Sequence, residues 1–246
     1  MKKYFKIKNY KNYLSRKVRI YFLLIKNKKI NNLIFLDKKL KKIKNVEDLI
    51  NFHFKTYSEK NHINREMFRI ILNHFGGASL NILETGSAAH GTKSSMLFAN
   101  YVKKFGGNFD TVDTNPQIKK IYSFLESNSV KFHTQDSIEF IKSLDDKTIH
   151  NLDLIYLDSY DLDIFNPEPS QNHGLNEFLL LNEKIKKGTL IAIDDTPDSF
   201  DKFSTTKENK FNFIPGKGRF VLNYLKENSE LYEIIYHEYS VVIKKL

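Results

Sequence analysis

The alternation of short apolar runs with amphipathic segments constrains the fold of this chain more than any other feature. Five apolar runs, each bounded by turn residues, predict strands: LNILETG, NFDTVDTNP, VKFHTQD, LDLIYLDS and TLIAIDDTP. The segments between them have the periodicity of helices, and this strand–helix order predicts a parallel, doubly wound sheet. After a further predicted helix, LYEIIYHEYSVVIKKL indicates an antiparallel hairpin that completes an α/β domain.

The segment before this domain is strongly basic and predicts helices. Residues 1–45 contain 16 Lys and Arg and one acid, Asp37, hence a net charge of +15, whereas the remaining 23 basic and 28 acidic residues give −5. A helix expected near 64–75 ends at Gly76-Gly77. The sequence therefore predicts a basic helical extension over residues 1–60 and a catalytic or binding domain over 61–246.

The basic segment has several interpretations. It could contact a membrane surface peripherally, bind a polyanion, flank an anionic substrate or form a solvated helical extension. The run VRIYFLLI is too short to span a bilayer, and the chain has no cysteine. We therefore expect a soluble, cytoplasmic protein without disulfides, and a homo-oligomer is compatible with the sequence.

Acidic and small polar residues follow every predicted strand. Because ligands of open parallel sheets bind beyond the carboxyl ends of the strands, these residues are expected to share one edge. They are Glu84, Gly86, Ser87 and Ala88 after the first strand, Asp113 after the second, Asp136 and Ser137 after the third, Asp158 and Asp161 after the fourth, and Asp194 and Asp195 after the fifth.

Such an edge is unsuited to a phosphate-rich ligand, because carboxylates repel phosphate. It suits a divalent metal or a cationic ligand that carries hydroxyl groups. Asp113 could accept hydrogen bonds from both hydroxyls of a ribose, and Glu84 could meet an amine. The small residues 86–88 would let the backbone approach a bulky group closely.

The motifs ILETGS, TVDTNP, TQDS and LDLIYLDS, together with the closing hairpin, resemble those of the class I S-adenosylmethionine-dependent methyltransferases over residues 78–246. The resemblance implies a Rossmann-like, seven-stranded sheet that binds S-adenosylmethionine. The residues implied to bind this cofactor are Glu84, Gly86 and Ser87 at its methionine end, Asp113 at the ribose, and Asp136 and Ser137 at the adenine, together with Ala88, Ser94 and Asp158. The first motif departs from the family pattern, because Ser-Ala-Ala-His precedes Gly91 where a middle glycine is usual.

Asp158, Asp194 and Asp195 form a second group at the same edge. Carboxylates of this kind suit Mg²⁺, and the group resembles the metal site of the catechol-type and macrocin-type O-methyltransferases. In those enzymes the metal would bind and orient the acceptor hydroxyl. The alternative is that Asp194-Asp195 caps a turn before Pro197.

The base that would deprotonate the acceptor has more than one candidate. Asp158 itself, Asp161 and His173 are all placed after strand 4. The catechol-type enzymes have a lysine where this chain has Asp161, which could be the base or a neighbour of the metal. His173, expected to open a helix, could instead serve as a cap or packing residue. The glycine-rich loop FIPGKGRF (213–220) either grips an anionic or glycan acceptor through Lys217 and Arg219 or is a mobile loop.

These observations favour methyl transfer to a small hydroxylated acceptor, with a sugar, surface-glycan or natural-product precursor preferred over a flat aromatic. The absence of tryptophan and the polar segment DLDIFNPEPSQNHG support that preference. One alternative is a nucleic-acid methyltransferase that uses the basic segment. The sequence disfavours it, because the charge lies outside the domain and no Asn/Asp-Pro-Pro-aromatic motif follows strand 4. A cephalosporin-hydroxylase-like or non-catalytic binding protein is another alternative.

Overall fold

The computed structural model describes residues 33–87, 91–199, 202 and 214–246. The chain divides into two compact units, Met1–Lys42 and Ile43–Leu246. The described part of the first unit is the helix α1, Leu33–Lys42. Most of the basic segment, together with Ala88 and His90, lies outside the described residues. The domain boundary expected near residue 60 stays a prediction.

The second unit is built on a seven-stranded sheet in the order β3-β2-β1-β4-β5-β7-β6. β1 to β5 run parallel, whereas β7 is antiparallel to both β5 and β6. The predicted α/β fold, mostly parallel with a closing hairpin, is confirmed. The strands are β1 Leu80–Thr85, β2 Gly107–Asp113, β3 Val130–Thr134, β4 Leu154–Leu157, β5 Leu190–Ile193, β6 Tyr232–His237 and β7 Val241–Lys245.

Helices precede the sheet and connect its parallel strands. Local sequence sets several of their ends: Asn45 caps one helix by accepting from the Asp48 N–H, and Gly76 ends the next at a φ of 60°. They are α2 Val46–Thr56, α3 Arg65–Phe75, α4 Ser94–Phe105, α5 Pro116–Tyr122, α6 Ser137–Ser143, α7 Asp146–His150, α8 Glu168–Asn182 and α9 Arg219–Glu227.

Different side chains cover the two faces of the sheet. On one face, Phe68 of α3 packs on Phe98 of α4 and Tyr156 of β4, with ring centroids 5.7 and 5.4 Å apart. On the other, an aliphatic cluster joins strand residues such as Ile155 to Phe178 of α8. Both faces of the parallel strands are therefore buried, which leaves the strand ends as the accessible edge.

Two helix predictions differ from the structure. The segment SIEFIKSLDDKTI, which lies between two predicted strands and has the periodicity of one helix, forms the two helices α6 and α7, because the Asp145 side chain accepts from the Thr148 N–H and starts a new helix. α8 begins at Glu168, so part of the expected polar loop is helical, and Pro167 precedes its first turn. Over the described residues, no helix is long and apolar enough to cross a membrane.

Candidate active site

The sheet brings Asp158 and Asp194 to the same face at the ends of β4 and β5. The register pairs Tyr156 of β4 with Ala192 of β5. Because side chains alternate between faces along a strand, the residues two positions further on, Asp158 and Asp194, project to one side together. Their backbone N–H groups bond to the neighbouring strands at 2.8 and 3.0 Å, which continues the ladder past the strand ends.

Lys217 lies between these acids. Its Nζ donates to Asp158 Oδ1 at 2.7 Å and lies 3.3 Å from Asp195 Oδ2, and its side chain is only 6% exposed. Burial by itself lowers the pKa of Lys217, but the carboxylates of Asp158, Asp195 and Asp194 outweigh burial and raise it. The lysine is therefore a buried ammonium. The prediction that the loop grips an anionic or glycan acceptor through Lys217 and Arg219 stays a prediction.

Asp194 is held by residues distant in sequence. Its Oδ1 accepts from Asn64 Nδ2 at 2.7 Å, from Ser240 Oγ at 2.7 Å and from the Asp195 N–H at 2.9 Å. Ser240 Oγ also lies 2.9 Å from Asn64 Oδ1. Since this oxygen of a 7% exposed residue already meets three donors, Asp194 fixes the start of α3 and the β6–β7 turn against the sheet.

Asp195 forms a turn and also belongs to the cluster of acidic residues at this edge. Its φ of 45° is left-handed, and the next residue, Thr196, donates from Oγ1 to the Asp194 carbonyl at 2.9 Å. Tyr239 OH donates to Asp195 Oδ1 at 2.6 Å. Burial raises the pKa of Asp195 and raises that of Asp158 well above its usual range, against the opposing effect of Lys217.

The acids predicted to hold Mg²⁺ are brought together, but their donor set does not fit a metal. Mg²⁺ requires near-octahedral oxygen ligands at about 2.0–2.1 Å and repels a neighbouring ammonium. Here Lys217 occupies the space between Asp158 and Asp195, and hydroxyl and amide donors occupy Asp194 and Asp195. Within the described ranges, no group of three or more His, Cys, Asp or Glu residues has a metal-binding arrangement.

Glu84, at the end of β1, lies beneath the loop that follows it. The carboxylate is fully buried and accepts from Ser94 and Ser95 at 2.5 Å each and from Thr111 at 2.6 Å. Burial raises the pKa of Glu84 to about 7, although the three hydroxyls oppose that shift. These contacts make Glu84 and Ser94 supports of the loop, and contact of either residue with a cofactor stays a prediction.

The loop after β1 reaches β4 closely. Gly86 has a φ of 79°, and a Cβ there would lie 2.3 Å from the Asp158 carbonyl oxygen. Ser87 Oγ and Thr111 Oγ1 are 2.7 Å apart, so this side chain joins the Glu84 network. Gly86 is required by this approach whether or not a ligand is bound.

Asp113 and Asp136 stand at the ends of β2 and β3. Asp113 Oδ1 accepts from the Asn115 N–H at 2.7 Å, and the residue is half-buried. Asp136 caps α6 through the N–H groups of Ile138 and Glu139 at 3.0 and 3.2 Å. A carboxylate at the end of β2 has the chemistry that a ribose diol requires.

Ser137 and His173 are brought together. Ser137 Oγ lies 2.9 Å from His173 Nε2, and Glu177 Oε1 lies 3.4 Å from the same nitrogen. The hydrogen bond to Glu177 raises the pKa of His173, and Ser159 donates to that carboxylate at 2.6 Å. His173 thus lies in the second turn of α8 beside the expected adenine position, and it does not open the helix. Asp161 is exposed in the β4–α8 connection.

Comparison with known proteins identifies the fold to which this sheet edge belongs. No protein-family model and no curated protein matches the sequence. Solved structures do match. MycE methyltransferase from the mycinamycin biosynthetic pathway, in complex with Mg, S-adenosylhomocysteine and mycinamycin VI, has a TM-score of 0.55 at 13% identity over 83% of this chain. This chain spans 55% of the length of MycE.

Two further structures match over nearly their full lengths. A methyltransferase of Podospora anserina bound to S-adenosylhomocysteine has a TM-score of 0.52 at 11% identity, covering 85% of this chain and 93% of its own. A putative caffeoyl-CoA O-methyltransferase from Staphylococcus aureus has a TM-score of 0.51 at 14% identity, covering 88% and 99%. This chain has the class I methyltransferase fold.

Several residues at this edge of the sheet could not be identified as part of the site from the sequence. The sequence offers Lys217 as an acceptor-binding residue and does not predict its pairing with the acids, although glycine on both sides of it indicates close backbone packing. Asn64, Tyr239 and Ser240 had no local signal, because they reach the acids only through tertiary structure.

Proposed function

We propose that this protein transfers a methyl group from S-adenosylmethionine to a hydroxyl of a small acceptor. The observation that carries the proposal is the acid–lysine group at the ends of β4 and β5, on the sheet edge where Asp113 ends β2. Neighbours solved with S-adenosylhomocysteine support the cofactor. We further propose a sugar, surface-glycan or natural-product precursor as the acceptor, because the segment DLDIFNPEPSQNHG after β4 is rich in polar residues and the chain has no tryptophan.

The chain's contribution on the cofactor side is positioning. Asp113 would hold the ribose, and Asp136 with Ser137 would flank the adenine, while Glu84 fixes the loop beneath the methionine end. When bound, S-adenosylmethionine supplies an electrophilic methyl group. Alignment of this group with the acceptor oxygen is the main requirement of an in-line displacement.

On the acceptor side, Asp158 is the group best placed to take the hydroxyl proton. Its side chain is 16% exposed, and the donor that reaches its carboxylate among the described residues, Lys217, bonds to Oδ1. Oδ2 is therefore the atom assigned to the acceptor hydroxyl. Asp161 and His173 remain alternative bases, although the neighbours of His173 are Ser137 and Glu177.

Mg²⁺ is not part of this proposal, because Lys217 stands where the sequence predicted the metal. Methyl transfer to nucleic acid, peripheral membrane contact and homo-oligomer formation stay predictions. The first two rest on the charge of the basic segment, most of which lies outside the described residues.

Isothermal titration calorimetry with S-adenosylmethionine and S-adenosylhomocysteine tests the proposal directly. We expect the wild type to bind both, and Asp113→Ala to weaken binding at least ten-fold, about 1.4 kcal/mol. Asp110→Ala is the matched control. Asp110 belongs to the same strand, but its carboxylate pairs with His133 at 2.7 Å. Absence of binding by the folded wild type would contradict the proposal.

The acceptor is identified by the release of S-adenosylhomocysteine with a panel of free and nucleotide-linked sugars and simple phenols. Asp158→Asn should reduce turnover by at least a hundred-fold, in the range that general-base catalysis contributes, without loss of cofactor affinity. Turnover that is unchanged in Asp158→Asn would remove Asp158 as the base.

A further inference from the structure

We propose that Lys217 is a built-in cation that takes the place of a divalent metal at this edge of the sheet. The site then binds no Mg²⁺ in the wild type, and methyl transfer does not require it. The second statement rests on the proposed function, whereas the first concerns cation binding alone and is tested separately.

The contacts of the ammonium account for its full donor capacity. A lysine ammonium has three N–H donors. Nζ of Lys217 lies 2.7 Å from Asp158 Oδ1, 3.3 Å from the Asp158 carbonyl oxygen and 3.3 Å from Asp195 Oδ2. These three oxygens belong to the acids that the sequence predicts as metal ligands. Since every donor has a protein acceptor, the ammonium acts on these acids and is a positioning residue.

The backbone around Lys217 is built to hold the side chain inward. The Lys217 N–H donates to the Asp195 carbonyl at 2.9 Å, and the Gly218 N–H donates to Thr196 Oγ1 at 2.9 Å. A Cβ on Gly216 would lie 3.0 Å from the Asp195 carbonyl oxygen, and one on Gly218 would lie 2.7 Å from Thr196 Oγ1. Glycine on both sides of the lysine thus permits this segment to lie directly on the turn that carries the acids.

One further oxygen of Asp195 and one of Asp194 also accept from donors that are not metals. Tyr239 OH donates to Asp195 Oδ1 at 2.6 Å, while Asn64 and Ser240 donate to Asp194 Oδ1 at 2.7 Å each. A Mg²⁺ ion would have to displace the ammonium and several of these donors together. Loss of the cation from a buried ion pair leaves carboxylates without a compensating charge. The ammonium of Lys217 therefore cannot be displaced unless another cation replaces it.

Removal of the lysine should therefore convert the group into a metal site. Lys217→Ala and Lys217→Gln, whose neutral side chain is longer than that of alanine, both leave Asp158, Asp194 and Asp195 without their ammonium. Carboxylates in this state favour a hard cation with oxygen preference. Lys186→Ala is the matched control, because Lys186 makes a similar 2.6 Å ion pair with the single acid Asp153.

The experiment measures binding of Mn²⁺ by electron paramagnetic resonance, with Mg²⁺ as competitor, and thermal unfolding with Mg²⁺ or with EDTA. We expect no stoichiometric Mn²⁺ binding by the wild type or Lys186→Ala at millimolar metal. We expect one site per chain, at least ten-fold tighter, in Lys217→Ala or Lys217→Gln, and a rise in melting temperature with metal only in those variants.

Two results would overturn the statement on cation binding. One is a wild type that binds one Mn²⁺ per chain and loses it in Asp158→Asn. The other is folded Lys217 variants that gain no metal affinity. If neither variant folds even with Mg²⁺, the wild-type measurement decides alone. Failure to detect methyl transfer would count against the proposed function and leave the cation measurement unaffected, whereas turnover abolished by EDTA would contradict metal independence.

Discussion

The buried histidine of α2 provides a quantitative test of the structure through pH. His53 is fully buried, and its Nε2 lies 2.7 Å from the Thr92 carbonyl oxygen, just before α4. Its Nδ1 is buried and has no hydrogen-bond partner among the residues that the structure describes. Burial lowers the pKa of His53 from 6.5 to about 4, against the opposing effect of the bond to Thr92. The imidazole is therefore neutral in the folded protein.

The sign and size of the effect on stability follow from this pKa. Above pH 6.5 the ring is neutral in both states and contributes no pH dependence. As the pH falls through 6.5, the unfolded chain takes up a proton that the folded chain does not, so stability is lost until the pH reaches about 4. With 1.36 kcal/mol for each pKa unit, the loss is about 2 kcal/mol at pH 5 and about 3 kcal/mol at pH 4.

The comparison of wild type with His53→Gln isolates this contribution. Glutamine can donate to the Thr92 carbonyl and does not titrate, so the difference between the two unfolding free energies should change by about 3 kcal/mol from pH 7.5 to pH 4. Urea unfolding followed by far-UV circular dichroism measures it. His74→Gln, at an exposed position of α3, should follow the wild type. A difference that stays flat over this range would refute the argument.

Two further predictions concern the loop after β1. Burial raises the pKa of Glu84 from 4.5 to about 7, so between these two pH values the folded protein holds a proton that the unfolded chain has lost. The free energy of unfolding should therefore fall by about 3 kcal/mol as the pH rises from 4.5 to 7. Glu84→Gln should remove this component in urea unfolding at each pH, and an unchanged profile would contradict it. Gly86→Ala should cost more than about 3 kcal/mol or prevent folding, because its Cβ would meet the Asp158 carbonyl at 2.3 Å. Gly76→Ala, at a φ of 60° with open space around its Cβ, should cost only about 1 kcal/mol, and equal costs would contradict the packing argument.

Periodicity explains why the sheet and its acidic edge could be predicted. A buried strand flanked by helical segments has few alternatives, and two-residue alternation then places Asp158 and Asp194 on one face. The residues at which the helices begin and end could not be predicted from periodicity. The break at Asp145 and the early start of α8 after Pro167 each depend on one capping or proline residue, and both were present as local signals.

The direction of side chains beyond the strand ends could not be predicted in the same way. Lys217 reaches Asp158 across 59 residues of chain, and Ser240 reaches Asn64 across 176. No local pattern encodes these distances, because they depend on how the turns and the closing hairpin pack. The resemblance placed a lysine at the position of Asp161, and in this chain a lysine reaches Asp158 from another loop.

The strand order has a consequence for how this sheet can be assembled. β7 follows β6 in sequence but lies between β6 and β5 in the sheet. β6 therefore cannot pair with the sheet until β7 has been synthesised. A nascent or truncated chain that stops before residue 241 would expose the apolar edge of β5, LIAI, with unpaired backbone groups. Ribosome-bound intermediates of that length should therefore be the most prone to aggregation and the most dependent on chaperones.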